Sequence, residues 1–210
     1  IRVTFVPKNE GKDLDYAITL TDNSSESVSE AEWRAAFAAE KFENYTLLYT
    51  MSVNYEGETS TRKDNVKFTK EGCLVNISVN GSLMTDYFSG DDAKTQRVTY
   101  ELIYSALLDS FGKFTYDASL NKYVASAEIT VNYAGSIGEE TANETLVMSN
   151  TKVTLDADGN VTNIEFDFSD CVEQEGGNIV SSGKGTMELK DYGTTVITAE
   201  EIEAAQKANV

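Results

Sequence analysis

The stretches VKFTKEGCLVNISV (Val66 to Val79) and VTLDADGNVTNIEF (Val153 to Phe166) align without a gap, and this internal echo constrains the fold more than any other feature of the chain. Val, Gly, Asn and Ile are identical at matching positions, and most other positions keep their apolar or polar character. Each copy alternates on both sides of a Glu-Gly or Asp-Gly pair, which predicts a β-hairpin with glycine supplying the positive φ of a tight turn. A similar strand precedes each hairpin. YTLLYTMSVNY places Tyr45, Leu47, Tyr49, Met51, Val53 and Tyr55 on one face, and YVASAEITVNY repeats the pattern at Tyr123, Ala125, Ala127, Ile129, Val131 and Tyr133. Because side chains alternate with period two, this spacing keeps the same face buried in both copies.

A helix precedes each set of strands. The first starts at Ser27 or Ser29, each with a glutamate three residues on (Glu30, Glu32) as a capping box, and runs to about Phe42 with Trp33, Ala36 and Phe37 on one face. The second begins near Asp91 or Asp92, carries an apolar stripe at Val98, Leu102 and Ala106 beside Ile103 and Leu107, and stops at Gly112. KFTYDASLNKYVA reads as a hairpin. IEFDFSD and GTMELKDYG read as the last strands, with EQEGGNIVSSGKG as a loop between them, and Thr198 with Glu201 caps a short closing helix. Residues 1–26 read as an N-terminal β-hairpin and polar linker, either an added edge or the tail of an upstream module. The expected fold is α+β: a curved, mostly antiparallel half-barrel sheet with two main helices packed on one face. It occupies residues 27–210 as two similar units, about 27–90 and 91–197, plus a C-terminal helix.

Composition removes several classes of function. Thirty-five acidic residues against seventeen basic ones leave a net charge of -18, which repels phosphate backbones and anionic lipid surfaces, so nucleic acid is not an expected partner. Histidine is absent, which removes Ser-His-Asp and Cys-His nucleophile systems and the usual general base near neutral pH. Cys73 and Cys171 are too few and too far apart for a CxxC redox or zinc site; they are either a long-range disulfide or two isolated thiols. The chain opens at Ile1 with no charged leader and no apolar run long enough to span a membrane, and reads as a trimmed mature form; any signal or lipid anchor would lie upstream.

No motif assigns a reaction. DADGN at Asp156 to Asn160 has the oxygen-rich front of a calcium loop but leads straight into a strand, and SSGKG lacks the spacing of a phosphate loop. No cofactor or metal is therefore expected, and no enzymatic activity. Between the two repeated strands, Leu47 and Tyr49 correspond to Ala125 and Ala127, so bulk is lost on the buried face. Either a helix packs closely there or space is left for a ligand.

The layout of helix, long amphipathic strands, second helix and further strands, with the DADGNVTNIEF hairpin and a late MELKDYGTTVI strand, resembles the lipoprotein-carrier fold of LolA and LppX type from Ser27 to Ile197. That resemblance implies a curved sheet enclosing an apolar cavity with helices across its opening, in proteins that carry lipids or stand on cell surfaces. The front hairpin and the missing lipid-attachment cysteine depart from it. The expected function is a secreted or cell-surface, bacterial, non-enzymatic protein binding a lipid or other apolar molecule. Its expected lining is Tyr45, Tyr49, Met51, Ala125, Ala127 and Ile129. The alternative is a protein-interaction or structural module with a filled core. Cavity volume separates the two, since a ligand site needs roughly 300 Å³ or more.

Overall fold

The structure, a computed structural model, describes residues 2–8, 15–21, 27–137, 140–173 and 178–208, with side chains at 27–132, 144–173 and 178–208. Alternating N-terminal residues form β1 (Arg2–Lys8) and β2 (Asp15–Thr21), which pair antiparallel as a two-stranded sheet of their own. Helix α1 (Glu30–Ala36) starts where the capping box predicts. The Glu32 N–H donates to the Ser29 hydroxyl at 3.3 Å, and the Glu32 carboxylate accepts the Ser29 N–H at 2.7 Å. It ends sooner than expected, and the chain continues through a 3-10 turn, Ala39–Phe42. The break lets Phe42 turn inward and stack on Tyr104 with ring centroids 4.1 Å apart.

Next come β3 (Tyr45–Tyr55), β4 (Glu58–Phe68), β5 (Gly72–Val79) and β6 (Ser82–Ser89) as an antiparallel meander, then α2 (Gly90–Asp109). The second half supplies β7 (Phe114–Asp117), β8 (Lys122–Ala125), β9 (Ile129–Ile137), β10 (Glu140–Leu155), β11 (Val161–Glu173), β12 (Ile179–Lys190) and α3 (Ala199–Ala208). The molecule is α+β, and its main sheet is open and antiparallel, in the order β6-β5-β4-β3-β12-β11-β10-β8-β7 with β9 also on β10. The last strand thus returns beside the first of the meander, pairing Leu47 with Leu189 and Tyr49 with Met187. Helix α2 contacts β5 and β6 on one side and β9 on the other, so it spans the opening between the two halves.

Four local expectations are corrected. The strand expected at Tyr123 to Tyr133 is two pieces, β8 and β9, both on β10. They part opposite a bulge in β10, where Asn150 takes a φ of 51° and donates from its side chain to Asp167 at 2.8 Å. Ser126, in the gap, is tied to the Lys113 carbonyl by its N–H at 2.8 Å. Gly72 is not in the left-handed region; it is needed because a Cβ there would lie 2.5 Å from the Phe88 carbonyl oxygen. Its counterpart Gly159 does turn, at φ 72°. The SSGKG segment is strand and belongs to β12. The echo itself holds in kind and slips in register: Val66 pairs with Val75, whereas Val153 pairs with Ile164, the position aligned with Ile77. An even shift keeps the same face buried, so the slip is tolerated.

The inner sheet face meets α1 and α2 in one core. Trp33 is fully buried, donates from its indole N–H to the Leu107 carbonyl at 3.1 Å, and packs against Phe37, Phe111, Phe114 and Tyr123. Tyr45, Phe68 and Tyr104 complete this aromatic end. Helix α3 contacts β5 and β6, and its Glu201 pairs at 2.6 Å with Lys67, which points away from the core. Cys73 is buried on the inner face, while Cys171 lies at a position of the opposite parity; both are free thiols.

Candidate functional site

Strand alternation should carry apolar residues along the whole inner face, and at one end it carries charge instead. On β4 the inward positions run Phe68, Val66, Asp64, Arg62. On β11 they run Ile164, Phe166, Phe168, Asp170, and on β10 Met148, Leu146, Glu144. Pairing registers bring these departures together below α2, where a cleft of about 490 Å³ opens beyond the aromatic core. Its floor is Met51, Val53, Leu146 and Phe168, and α2 supplies Gln96, Thr99, Tyr100 and Ile103 as its wall.

Asp64 is the most deeply placed charge, its side chain fully covered. It accepts from Arg62 Nε at 2.8 and 3.1 Å and from the Tyr100 hydroxyl at 3.4 Å, so its charge is compensated where it sits. The Arg62 side chain remains 40% exposed and faces the cleft. Burial holds the Tyr49 and Tyr100 phenols well above their ordinary range, so both are neutral hydrogen-bonding groups at any physiological pH.

Asp170 behaves differently. Burial, then a hydrogen bond with the Glu144 carboxylate and that neighbour's charge, raise its carboxyl to about 7. Two carboxylates in contact cannot both ionise cheaply, so Asp170 keeps its proton toward neutral pH. The Asp170 Oδ1 atom is covered and has no hydrogen-bond partner among the described residues.

The six positions expected to line a site separate in space. Tyr49 and Met51 line the cleft. Tyr45 is fully buried in the aromatic end, its hydroxyl 3.2 Å from that of Tyr104. Ile129 is buried in the core at the start of β9. Ala125 borders a separate groove among Lys152, Glu165, Asp167 and Lys184, and Ala127 is exposed in the gap between β8 and β9. Arg62, Asp64, Glu144 and Asp170 were missed by reading apolar alternation alone; the signal was a charge at an inward position of a strand. The carboxylate of Asp156 closes its own turn, accepting the Asp158 and Asn160 N–H groups at 3.0 and 2.8 Å.

No protein-family model matches the chain, and no curated protein matches it in sequence. Among the described residues, no helix is long and apolar enough to cross a membrane.

Proposed function

We propose that the chain is a non-enzymatic, secreted or cell-surface binding protein that takes a small amphipathic molecule into the cleft between the inner sheet face and α2. The observation that carries this reading is a cleft of about 490 Å³, above the roughly 300 Å³ a small-molecule site requires, with an apolar floor that the two grooves of similar volume, at Glu40–Tyr192 and at Lys152–Lys184, lack. Its floor continues the apolar face of the core, and its mouth extends that face through Val79 and Met84, 43% and 58% exposed. The likeness of layout to lipoprotein carriers, with α2 across the sheet opening, supports the same reading. A strong acid excess suits display at an outer surface.

A second reading is favoured by the Asp170–Glu144 pair, because a carboxyl raised toward neutrality in a cleft also suits general acid chemistry. These two groups bond to each other, however, whereas glycoside hydrolysis needs its carboxyls on either side of the scissile bond, about 5 Å or more apart.

Native mass spectrometry of freshly purified protein, with organic extraction of whatever accompanies it, tests the binding reading. An apolar mass that travels with the protein is the expected result. A bare mass together with no uptake of an added apolar fluorophore contradicts it and returns the protein-interaction alternative.

A further inference from the structure

The corner of the cleft where β3 and β4 meet α2 holds hydrogen-bond donors that the protein leaves unused. Arg62 gives its Nε to Asp64 at 2.8 and 3.1 Å, and among the described residues nothing accepts from its Nη1 or Nη2. A guanidinium carries several N–H donors in a rigid fork, so those at its exposed end remain available. The Tyr49 hydroxyl likewise has no partner among the described residues, and it opens to the cleft instead of being covered. The register pairs Tyr49 with Asp64 and Met51 with Arg62, so Tyr49 and Arg62 are diagonal neighbours on the inner face. The Tyr49 phenol accordingly feels the Arg62 charge. Tyr100 closes the corner from α2, its ring centroid 6.3 Å from that of Tyr49 and its hydroxyl bonded to Asp64. Asp64, fully covered, both holds the guanidinium in place and cancels its charge.

Resting on the ligand-binding reading above, we propose that the cleft selects an amphiphile whose head is an uncharged hydrogen-bond acceptor, an ester or amide carbonyl on an aliphatic or aromatic body. The carbonyl oxygen accepts from the Arg62 Nη groups and the Tyr49 hydroxyl, and the body lies along Met51, Val53, Leu146 and Phe168. On both donors the carbonyl takes the place of water, and the bonds it receives come from a fork already fixed by Asp64. Charge decides among the possible heads. Arg62 is neutralised by Asp64, so a carboxylate would add a net negative charge to the corner, in a chain whose own charge is -18. An ammonium would set a second cation beside the guanidinium. A ligand with no polar head would strip water from both donors and return no bond. Asp170 and Glu144 belong to β11 and β10, beyond β3 and β12 in the sheet, so a head at this corner is not placed against them.

The test compares methyl decanoate, decylamine and decanoate as competitors of N-phenylnaphthylamine at about pH 8, where amine and acid are both charged. The purified chain, Tyr49→Phe and Arg62→Lys are each titrated. The first substitution removes only a hydroxyl, and the second keeps a cation for Asp64 while losing the fork. Wild-type protein is expected to bind the ester about tenfold or more tighter than the amine or the acid. Each substitution should weaken the ester by about threefold to tenfold while fluorophore binding persists, which also shows that the variant is folded. Equal binding of all three by wild-type protein, a preference for the amine or the acid, or an ester affinity that neither substitution lowers overturns the carbonyl assignment and leaves the cleft reading standing. Failure of the fluorophore and of all three amphiphiles to bind removes the cleft reading, and the assignment with it.

Discussion

Gly183 and Gly185 show how closely single residues are specified on β12. A Cβ at Gly183 would lie 1.9 Å from the Ser52 carbonyl oxygen, and at Gly185 it would enter the Phe166 ring at 2.6 Å. Gly183→Ala must therefore move backbone, whereas Gly185→Ala can displace a ring. Urea unfolding should show a loss of about 1–3 kcal/mol for each, with Gly183→Ala the worse. Asp170 makes a prediction with a definite sign. Its carboxyl moves from 3.8 to about 7 on folding, so between these values the folded state binds the extra proton. Its contribution to stability is present at low pH and is lost as pH rises from about 4 to about 7. Subtracting the Asp170→Asn unfolding profile from that of wild type should leave a slope of this sign, on the order of 1–2 kcal/mol after solvent screening. A flat difference would mean that folding does not raise the Asp170 carboxyl. Cys73, pushed up to about 11 by burial, should resist alkylation in native protein and react only on unfolding, which mass spectrometry of iodoacetamide adducts reads directly.

Elements were legible where a single period governs them. β3, both echoed hairpins, the β7–β8 hairpin and the capping boxes of α1 and α3 follow from alternation and side-chain chemistry that lie within a few residues of one another. The failures share a cause. The gap between β8 and β9 is imposed by a bulge in β10, and the glycines of SSGKG sit in a strand because of Ser52 and Phe166, which are far away in sequence. Helix α1 is short, and its place depends on one side chain. Trp33→Ala should cost about 3–5 kcal/mol in urea unfolding, against about 1 kcal/mol for Ser29→Ala, because the first empties a buried site and the second removes only a cap. Equal losses would show that α1 is held by its capping and not by its packing.

At the scale of the molecule, the order of helix and strands twice over was readable, and so was an antiparallel sheet with its two main helices on one face. The closure was not. No local pattern says that β12 returns to β3, or that α2 lies across the opening between β6 and β9, because these are choices among pairings of similar strands. The cleft follows from that closure: the aromatic side chains of α1, β3 and α2 fill one end of the inner face, and the other end stays open between the Phe168 floor and the Tyr100 wall. Tyr49 and Met51 were readable as inward residues of one strand, and the placing of the charged residues was not, because it depends on which strands become neighbours. The cleft reading is tested most directly by titrating N-phenylnaphthylamine into wild-type protein and into Thr99→Trp, a substitution on the exposed side of α2 that places an indole in the cleft. Saturable binding by wild type, weakened about tenfold or more in the variant at unchanged melting temperature, is the predicted result. Binding that Thr99→Trp leaves untouched would place the apolar site elsewhere and contradict the account.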